Sequence, residues 1–154
     1  MNLQNVNVIN INLISMRIAL ITVALLTSVI AHCQIKPINF NDCNVDRMFV
    51  QSEVEPQWNC DSIGMLDFLN KYVVDKNLGQ VTDGKIFIGI IIYADGKPCC
   101  SSFGNLTKVD LNPDAYKDAV DKMPKWTPAL QRGQKIIFLK NQIFLIKNGK
   151  FVEN

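Results

Sequence analysis

The chain of 154 residues has one histidine, His32, and carries little net charge. Lysine and arginine number 16 against 14 acidic residues, and no run of five basic residues occurs. The net charge of +2 gives no electrostatic basis for binding nucleic acid or an anionic membrane surface. A single histidine also argues against a Cys-His pair, a Ser-His-Asp triad and a histidine-based metal site.

Further absences argue against an enzyme. The sequence has no glycine-rich phosphate loop, and Ser101-Ser102 has no base available to activate it. The candidate carboxylates fall at helix caps, turns or helix faces, where local structure accounts for them. We therefore expect a protein without catalytic residues, metal or cofactor. These carboxylates are Asp61, Asp83, Asp95, Asp110 and Asp121.

The N-terminus has the pattern of an export signal. Residues 18–31 are uncharged, Arg17 precedes them, and Ala31 ends the run. The run is shorter than the roughly 20 residues that a membrane-spanning helix needs. We expect residues 1–33 to be a signal peptide, with Met16 as the alternative start. A lipoprotein anchored through Cys33 and a retained membrane anchor are the other interpretations.

Cleavage after Cys33 would leave four cysteines, Cys43, Cys60, Cys99 and Cys100. An even number in an exported chain fits one or two disulfides. A bridge between neighbouring cysteines is strained, so two bridges would each join one of Cys43 and Cys60 to one of the neighbouring pair. Metal or redox chemistry is the alternative, but the chain contains no Cys-x-x-Cys motif and no nearby histidine.

The mature chain divides into an irregular arm, residues 34–58, and a domain, residues 59–154. The arm contains two prolines and one possible short strand over residues 47–50. The domain begins with a predicted helix over residues 61–74, capped by Asp61 or Ser62.

Residues 85–94 form the clearest predicted strand. Apolar residues lie on both of its faces, so the second face should be covered by the arm or by another chain, such as a second copy in a homodimer. Asp95-Gly96 predicts a tight hairpin in which both residues favour positive φ, followed by a strand over residues 98–103.

A second helix should begin at Asn112-Pro113 and stop at Pro124. Residues 135–146 predict either one long strand or two strands, and an Asn148-Gly149 turn precedes a possible short terminal strand. The fold class is α+β, with a small antiparallel sheet of about three strands and two helices packed on it.

Two segments resemble the TonB C-terminal domain family. The first is Met123-Pro124-Lys125-Trp126-Thr127-Pro128, followed by Arg132-Gly133-Gln134-Lys135. The second is the strand that starts at Gly84-Lys85 and turns at Asp95-Gly96-Lys97. The resemblance covers residues 53–147 and implies a strand-strand-helix-strand core. In this chain the family's proline-rich spacer is missing, so the resemblance does not extend to energy transduction across the periplasm.

The resemblance implies a binding or adaptor module related to TonB-dependent transport, in the periplasm or cell envelope of a Gram-negative bacterium. Its partner would be an envelope or outer-membrane protein, or an extended segment of one, added to the edge of the last long strand. The alternative is a disulfide-stapled structural or interaction protein that uses the apolar second face of residues 87–93. The candidate peptide-binding residues are Ile136, Ile137, Phe138, Leu139, Lys140 and Gln142.

The same resemblance assigns a structural motif to Met123, Pro124, Trp126, Pro128 and Gly133. We expect the Trp126 ring to cover the end of the second helix, with its indole N–H donating to a backbone carbonyl. An exposed binding aromatic is the other interpretation. For Phe138 and Leu139 the other interpretation is an ordinary core strand whose edge is covered by residues 143–152.

Overall fold

The computed structural model describes residues 37–153. The predicted signal peptide, the alternative start at Met16 and the lipidation of Cys33 lie outside the described residues. The described part has the predicted α+β class, with two α-helices, but its main sheet has five strands rather than about three. The helices are α1 (Met65–Tyr72) and α2 (Pro113–Asp121). The strands are β1 (Ile38–Asn39), β2 (Asp83–Ile92), β3 (Pro98–Asn105), β4 (Leu130–Gln131), β5 (Gln134–Lys135), β6 (Phe138–Lys147) and β7 (Lys150–Val152).

The strand β2 lies at the centre of the main sheet, whose order is β1-β3-β2-β6-β7. All neighbouring strands are antiparallel, and β2 pairs with β6 along its whole length, from Asp83 opposite Lys147 to Ile92 opposite Phe138. Residues 138–147 are therefore one long strand. The two strands beyond the predicted three are β1, from the N-terminal arm, and β7, which is the possible short terminal strand after Asn148-Gly149. The strands β4 and β5 form a separate two-stranded hairpin.

The core lies between one face of this sheet and the two helices. The β2 residues Ile86, Ile88, Ile90 and Ile92 alternate along the strand, and all are fully buried on this face. Tyr116 of α2 stacks on Phe103 of β3, with ring centroids 4.5 Å apart. This aromatic layer holds α2 against the sheet, because a buried aromatic pair contributes beyond its buried area.

The two helices begin differently. In α2 the side chain of Asn112 accepts a hydrogen bond from the Asp114 N–H at 3.2 Å, and Pro113 occupies the first turn, as predicted. The helix α1 is shorter than the predicted 61–74 and begins after Gly64, with no side-chain cap. Residues 61–63 are instead held in the chain that approaches α1, where the Trp58 indole N–H donates to the Ile63 carbonyl at 2.9 Å.

The hairpin turns also differ from one another. At Asp95-Gly96 only Gly96 has a positive φ, +86°, so the prediction of two positive φ values was wrong there. Asn148 and Gly149 both have positive φ, 49° and 72°, and they form the two-residue hairpin between β6 and β7.

The N-terminal arm is more ordered than predicted. Residues 47–50 do not form a strand, but Phe49 makes a single parallel bridge to Phe138. Further along, Val54 and Gln57 make antiparallel bridges to Leu130 and Thr127. The arm therefore runs beside residues 127–139, which include the start of β6.

Candidate peptide-binding edge

Most of β6 is not an open edge, because other parts of the chain cover both of its ends. At the C-terminal end, β7 pairs with Leu145, Ile146 and Lys147. At the N-terminal end, the Phe49 N–H donates to the Ile137 carbonyl at 2.9 Å and the Leu139 N–H donates to the Phe49 carbonyl at 2.8 Å.

An open window remains in the middle of the strand. Backbone groups in an antiparallel sheet alternate between the two neighbouring strands. The Leu139 N–H points away from β2, toward Phe49, so the backbone groups of Asn141 and Ile143 point to the same side. The backbone pairing with Phe49 stops at Leu139, before these two residues, and the pairing with β7 begins at Leu145, after them. Within residues 37–153, the N–H and C=O groups of Asn141 and Ile143 have no backbone partner on this side.

The predicted binding residues on this strand fall into two groups, according to the side to which their backbone groups point. The backbone groups of Ile137 and Leu139 lie on the outer side, but they are partly occupied by Phe49. Lys140 and Gln142 direct theirs inward to β2, opposite Ile90 and Ile88. These backbone groups are therefore already paired with β2 and do not face an added strand.

Two of the predicted residues are used inside the fold. The Ile136 N–H donates to the Ala129 carbonyl at 3.0 Å, beside the β4-β5 hairpin. Phe138 is buried and lies opposite Ile92, which faces the core, as in the alternative interpretation. Asn141 and Ile143 were not among the predicted residues. Counting alternate residues back from the Asn148-Gly149 turn would have placed their backbone groups on the outer side of the strand.

The side chains beside the window form an apolar surface on the sheet face opposite the helices. Ile143 is 59% exposed and lies directly opposite Phe87 in the register. Phe87 is half-buried, so this part of the second face is only partly covered. A chain added beside Ile143 would place alternate side chains against this pair.

The other part of the second face is covered by the arm. Ile91 is 2% exposed, and a cleft of about 380 Å³ beside it is lined by arm residues including Phe40 and Met48, together with Leu139. The prediction that the second face of residues 85–94 would be covered thus holds at Ile91, where the cover comes from the arm of the same chain.

Two links attach this part of the arm to the domain. Cys43 forms a disulfide with Cys99 of β3. Lys117 of α2 lies 3.1 Å from the Asp42 carboxylate and 2.8 Å from that of Asp121. The hydrogen bond to Asp121, followed by that to Asp42, raises the pKa of Lys117. The ammonium group therefore stays charged and holds arm and helix together.

Among the four cysteines of residues 37–153, Cys43 and Cys99 form one disulfide, and Cys60 and Cys100 are free. Neighbouring residues of a strand point to opposite faces. Cys99 therefore meets the arm, whereas Cys100 is fully buried in the core. Burial raises the pKa of Cys100 to about 12. Cys60 is partly exposed, and a hydrogen bond with the Ser62 hydroxyl lowers its pKa.

The predicted structural motif lies beside the first hairpin. Met123 and Trp126 are buried, and the Trp126 ring packs edge-on against Trp58 with centroids 5.5 Å apart. The expectation that the indole N–H of Trp126 would find a carbonyl was wrong, because its Nε1 is buried without a hydrogen-bond partner.

The remaining members of this motif are less enclosed. Pro124 and Pro128 are half-buried, and Gly133, with a φ of 73°, forms the turn between β4 and β5. They stand outside the open window of β6.

Comparison of the chain with protein-family models, curated proteins and solved structures found no match. Over residues 37–153, no group of three His, Cys, Asp or Glu side chains is placed to hold a metal ion. None of the helices described is both long and apolar enough to cross a membrane.

Proposed function

We propose that this chain is an exported, non-enzymatic binding module that recognises an extended peptide by strand addition at the outer side of β6. The peptide would be a segment of an envelope or outer-membrane protein. The observation that carries the proposal is the open window, where the backbone N–H and C=O groups of Asn141 and Ile143 have no described partner. An unpaired strand edge is a ready template for another extended chain.

The chemistry of the window suits an extended chain with apolar side chains. Four backbone groups are available at Asn141 and Ile143, and each hydrogen bond made there contributes about 0.5–1.5 kcal/mol net. These bonds do not depend on the peptide's sequence. Selectivity would come from alternate side chains packed against Ile143 and Phe87.

The proposal of export draws on the N-terminal pattern and on the Cys43–Cys99 disulfide, since disulfides persist mainly in oxidising compartments. The proposed relation to TonB-dependent transport draws on the sequence resemblance around Met123–Pro128.

A second candidate is a disulfide-stapled interaction protein that docks a folded partner on its apolar sheet face. The 59% exposure of Ile143 opposite Phe87 favours it. The two candidates differ in what they need from Ile143: strand addition needs its backbone N–H, and docking on the face needs its side chain.

The test is selection of a heptapeptide library displayed on phage against the full chain, followed by mapping of backbone amide shifts with the selected peptides. Strand addition predicts shifts at residues 139–143. Two variants separate the candidates. Ile143→Pro removes the outward N–H and leaves the β2 pairing of Gln142 and Phe144 intact, so it should abolish binding.

The matched variant Ile143→Thr keeps the N–H and the β-branched shape but loses the larger apolar side chain, so binding should weaken only a few-fold. Equal loss in both variants, with each still folded by melting temperature, would favour docking on the sheet face. Failure to select any peptide, or shifts confined to other strands, would refute strand addition.

A further inference from the structure

The open window is shorter than a typical strand-addition site. Phe49 occupies the outer side of β6 up to Leu139, and β7 occupies it from Leu145. Only Asn141 and Ile143 lie between them with outward backbone groups, enough for about three residues of peptide at the strand rise of roughly 3.3 Å per residue. A longer peptide must therefore displace one of the two flanking segments.

The β7 flank is firmly held. Phe151 is 3% exposed and packs edge-on against Phe144 with centroids 6.0 Å apart. The Asn70 side chain of α1 accepts from the Phe151 N–H at 2.8 Å and donates to the Phe151 carbonyl at 3.0 Å. Displacing β7 would open the core and leave these polar groups unpaired.

The arm flank is weakly held. Phe49 is 46% exposed, and its neighbours Met48 and Val50 are 42% and 65% exposed. The backbone hydrogen bonds of this stretch to β6 are the two that Phe49 makes with Ile137 and Leu139. Removing this stretch from β6 therefore exposes less apolar surface of its own than displacing β7 would, and the surface it uncovers includes the cleft that Met48 lines beside Ile91.

The arm is attached to the domain on both sides of this stretch. The Cys43–Cys99 disulfide holds the chain on one side of it. On the other side Val54 exchanges two backbone hydrogen bonds with Leu130, at 3.2 and 2.9 Å. Residues 44–53 thus form a loop with both ends fixed, and Phe49 is its contact with the β6 backbone.

From these contacts we propose that residues 46–50 act as a built-in competitor, which occupies half of the peptide-binding edge and must leave before an extended peptide can bind along residues 137–143. This inference rests on the proposed function. A peptide along residues 137–143 would replace both hydrogen bonds of Phe49 and add those of Asn141 and Ile143.

Competition by residues 46–50 would lower the apparent affinity of the chain for a peptide. A ligand that binds only the released form has an apparent dissociation constant raised by the inverse of the released fraction. Because both ends of the loop are fixed, Phe49 competes at the high effective concentration of a short tether. A released fraction of about one in ten would weaken binding about tenfold.

The experiment compares Phe49→Pro with Gln51→Pro. The first removes the N–H that donates to Ile137, and the second places the same residue two positions away, at an exposed site without a backbone bond to β6. The probes are heptapeptides selected from the phage library on Phe49→Pro and, separately, on the unmodified chain. Dissociation constants are measured by fluorescence anisotropy, and binding sites by amide shifts.

We expect peptides to bind Phe49→Pro at least tenfold more tightly than the unmodified chain or Gln51→Pro. The amide shifts should fall at residues 137–143. Equal affinity for all three proteins, with shifts at the same residues, would show that residues 46–50 do not compete with the peptide, and would still support strand addition. No binding to any of them, or shifts elsewhere, would overturn both.

Hydrogen exchange supplies a readout that needs no peptide. The Leu139 amide donates to Phe49, so its exchange should be at least tenfold faster in Phe49→Pro than in Gln51→Pro. The Gln142 amide, which faces β2, should exchange equally in both variants. Unchanged protection of Leu139 in Phe49→Pro would show that Phe49 does not occupy this edge and would overturn the proposal.

Discussion

The backbone of Trp126 lies directly against Gly96. The Trp126 N–H donates to the Gly96 carbonyl at 2.9 Å, and the Trp126 carbonyl occupies the place where a Cβ on residue 96 would stand. The hairpin between β2 and β3 and the turn after α2 are therefore joined through main-chain atoms. This contact requires glycine at position 96 on two counts, the positive φ of 86° and the lack of space.

Gly96→Ala should lower the free energy of unfolding by about 2–4 kcal/mol, because a strained φ and a displaced backbone each contribute. The matched control is Gly133→Ala, whose φ of +73° is similar but whose Cβ would meet nothing within 4 Å. That control should cost only about 1–2 kcal/mol. Urea denaturation measures both, and equal losses would show that the Trp126 contact adds nothing.

Trp126→Ala should cost about 3–5 kcal/mol, because the ring is buried against Trp58. Trp126→Phe should cost less than half as much, since the indole Nε1 has no partner to lose. Thermal melting of both variants tests this. A Phe variant as unstable as the Ala variant would mean that the indole N–H makes a bond essential to the fold, and an unchanged melting temperature in the Ala variant would contradict the buried role.

The elements with local signals were predictable. Asn112-Pro113 marks the start of α2, because the asparagine side chain caps a free N–H of the first turn and proline has a φ that suits the first helical position. The strand β2 was predictable from its alternating isoleucines, and Asn148-Gly149 from the positive φ that both residues adopt.

Features that depend on distant residues were not predictable. The single bridge from Phe49 to Phe138 joins two positions 89 residues apart, and nothing local to Phe49 indicates it. The backbone groups of Asn141 and Ile143 are unpaired because the pairing with Phe49 stops at Leu139 and the pairing with β7 begins at Leu145. The sequence placed the candidate residues between Ile136 and Gln142, and these include Lys140 and Gln142, whose backbone groups face β2.

Loss of the Cys43–Cys99 disulfide should destabilise the chain by about 4 kcal/mol in the loop-entropy description, because the bridge joins residues 56 apart. Cys99→Ser and the double variant Cys43→Ser/Cys99→Ser should lose similar amounts, since either removes the whole link. Urea denaturation under non-reducing conditions measures the loss. Cys60→Ser is the matched control and should unfold like the unmodified chain, as Cys60 is free and partly exposed.

The two free thiols should differ strongly in reactivity. The thiolate is the nucleophile, so alkylation accelerates as pH rises through the pKa of each cysteine. The hydrogen bond with Ser62 lowers the pKa of Cys60, so its iodoacetamide profile should have a midpoint below that of an exposed cysteine without such a bond. Burial raises the pKa of Cys100 to about 12, and its side chain is inaccessible, so it should stay unlabelled at pH 8 until the chain unfolds.

Peptide mass mapping after timed labelling distinguishes the two sites. Ser62→Ala should move the midpoint of Cys60 labelling to higher pH, because it removes the hydroxyl that stabilises the Cys60 thiolate. Cys100 should stay unlabelled in this variant. Labelling of Cys100 in the folded chain at a rate comparable to Cys60 would contradict its burial between the sheet and α2.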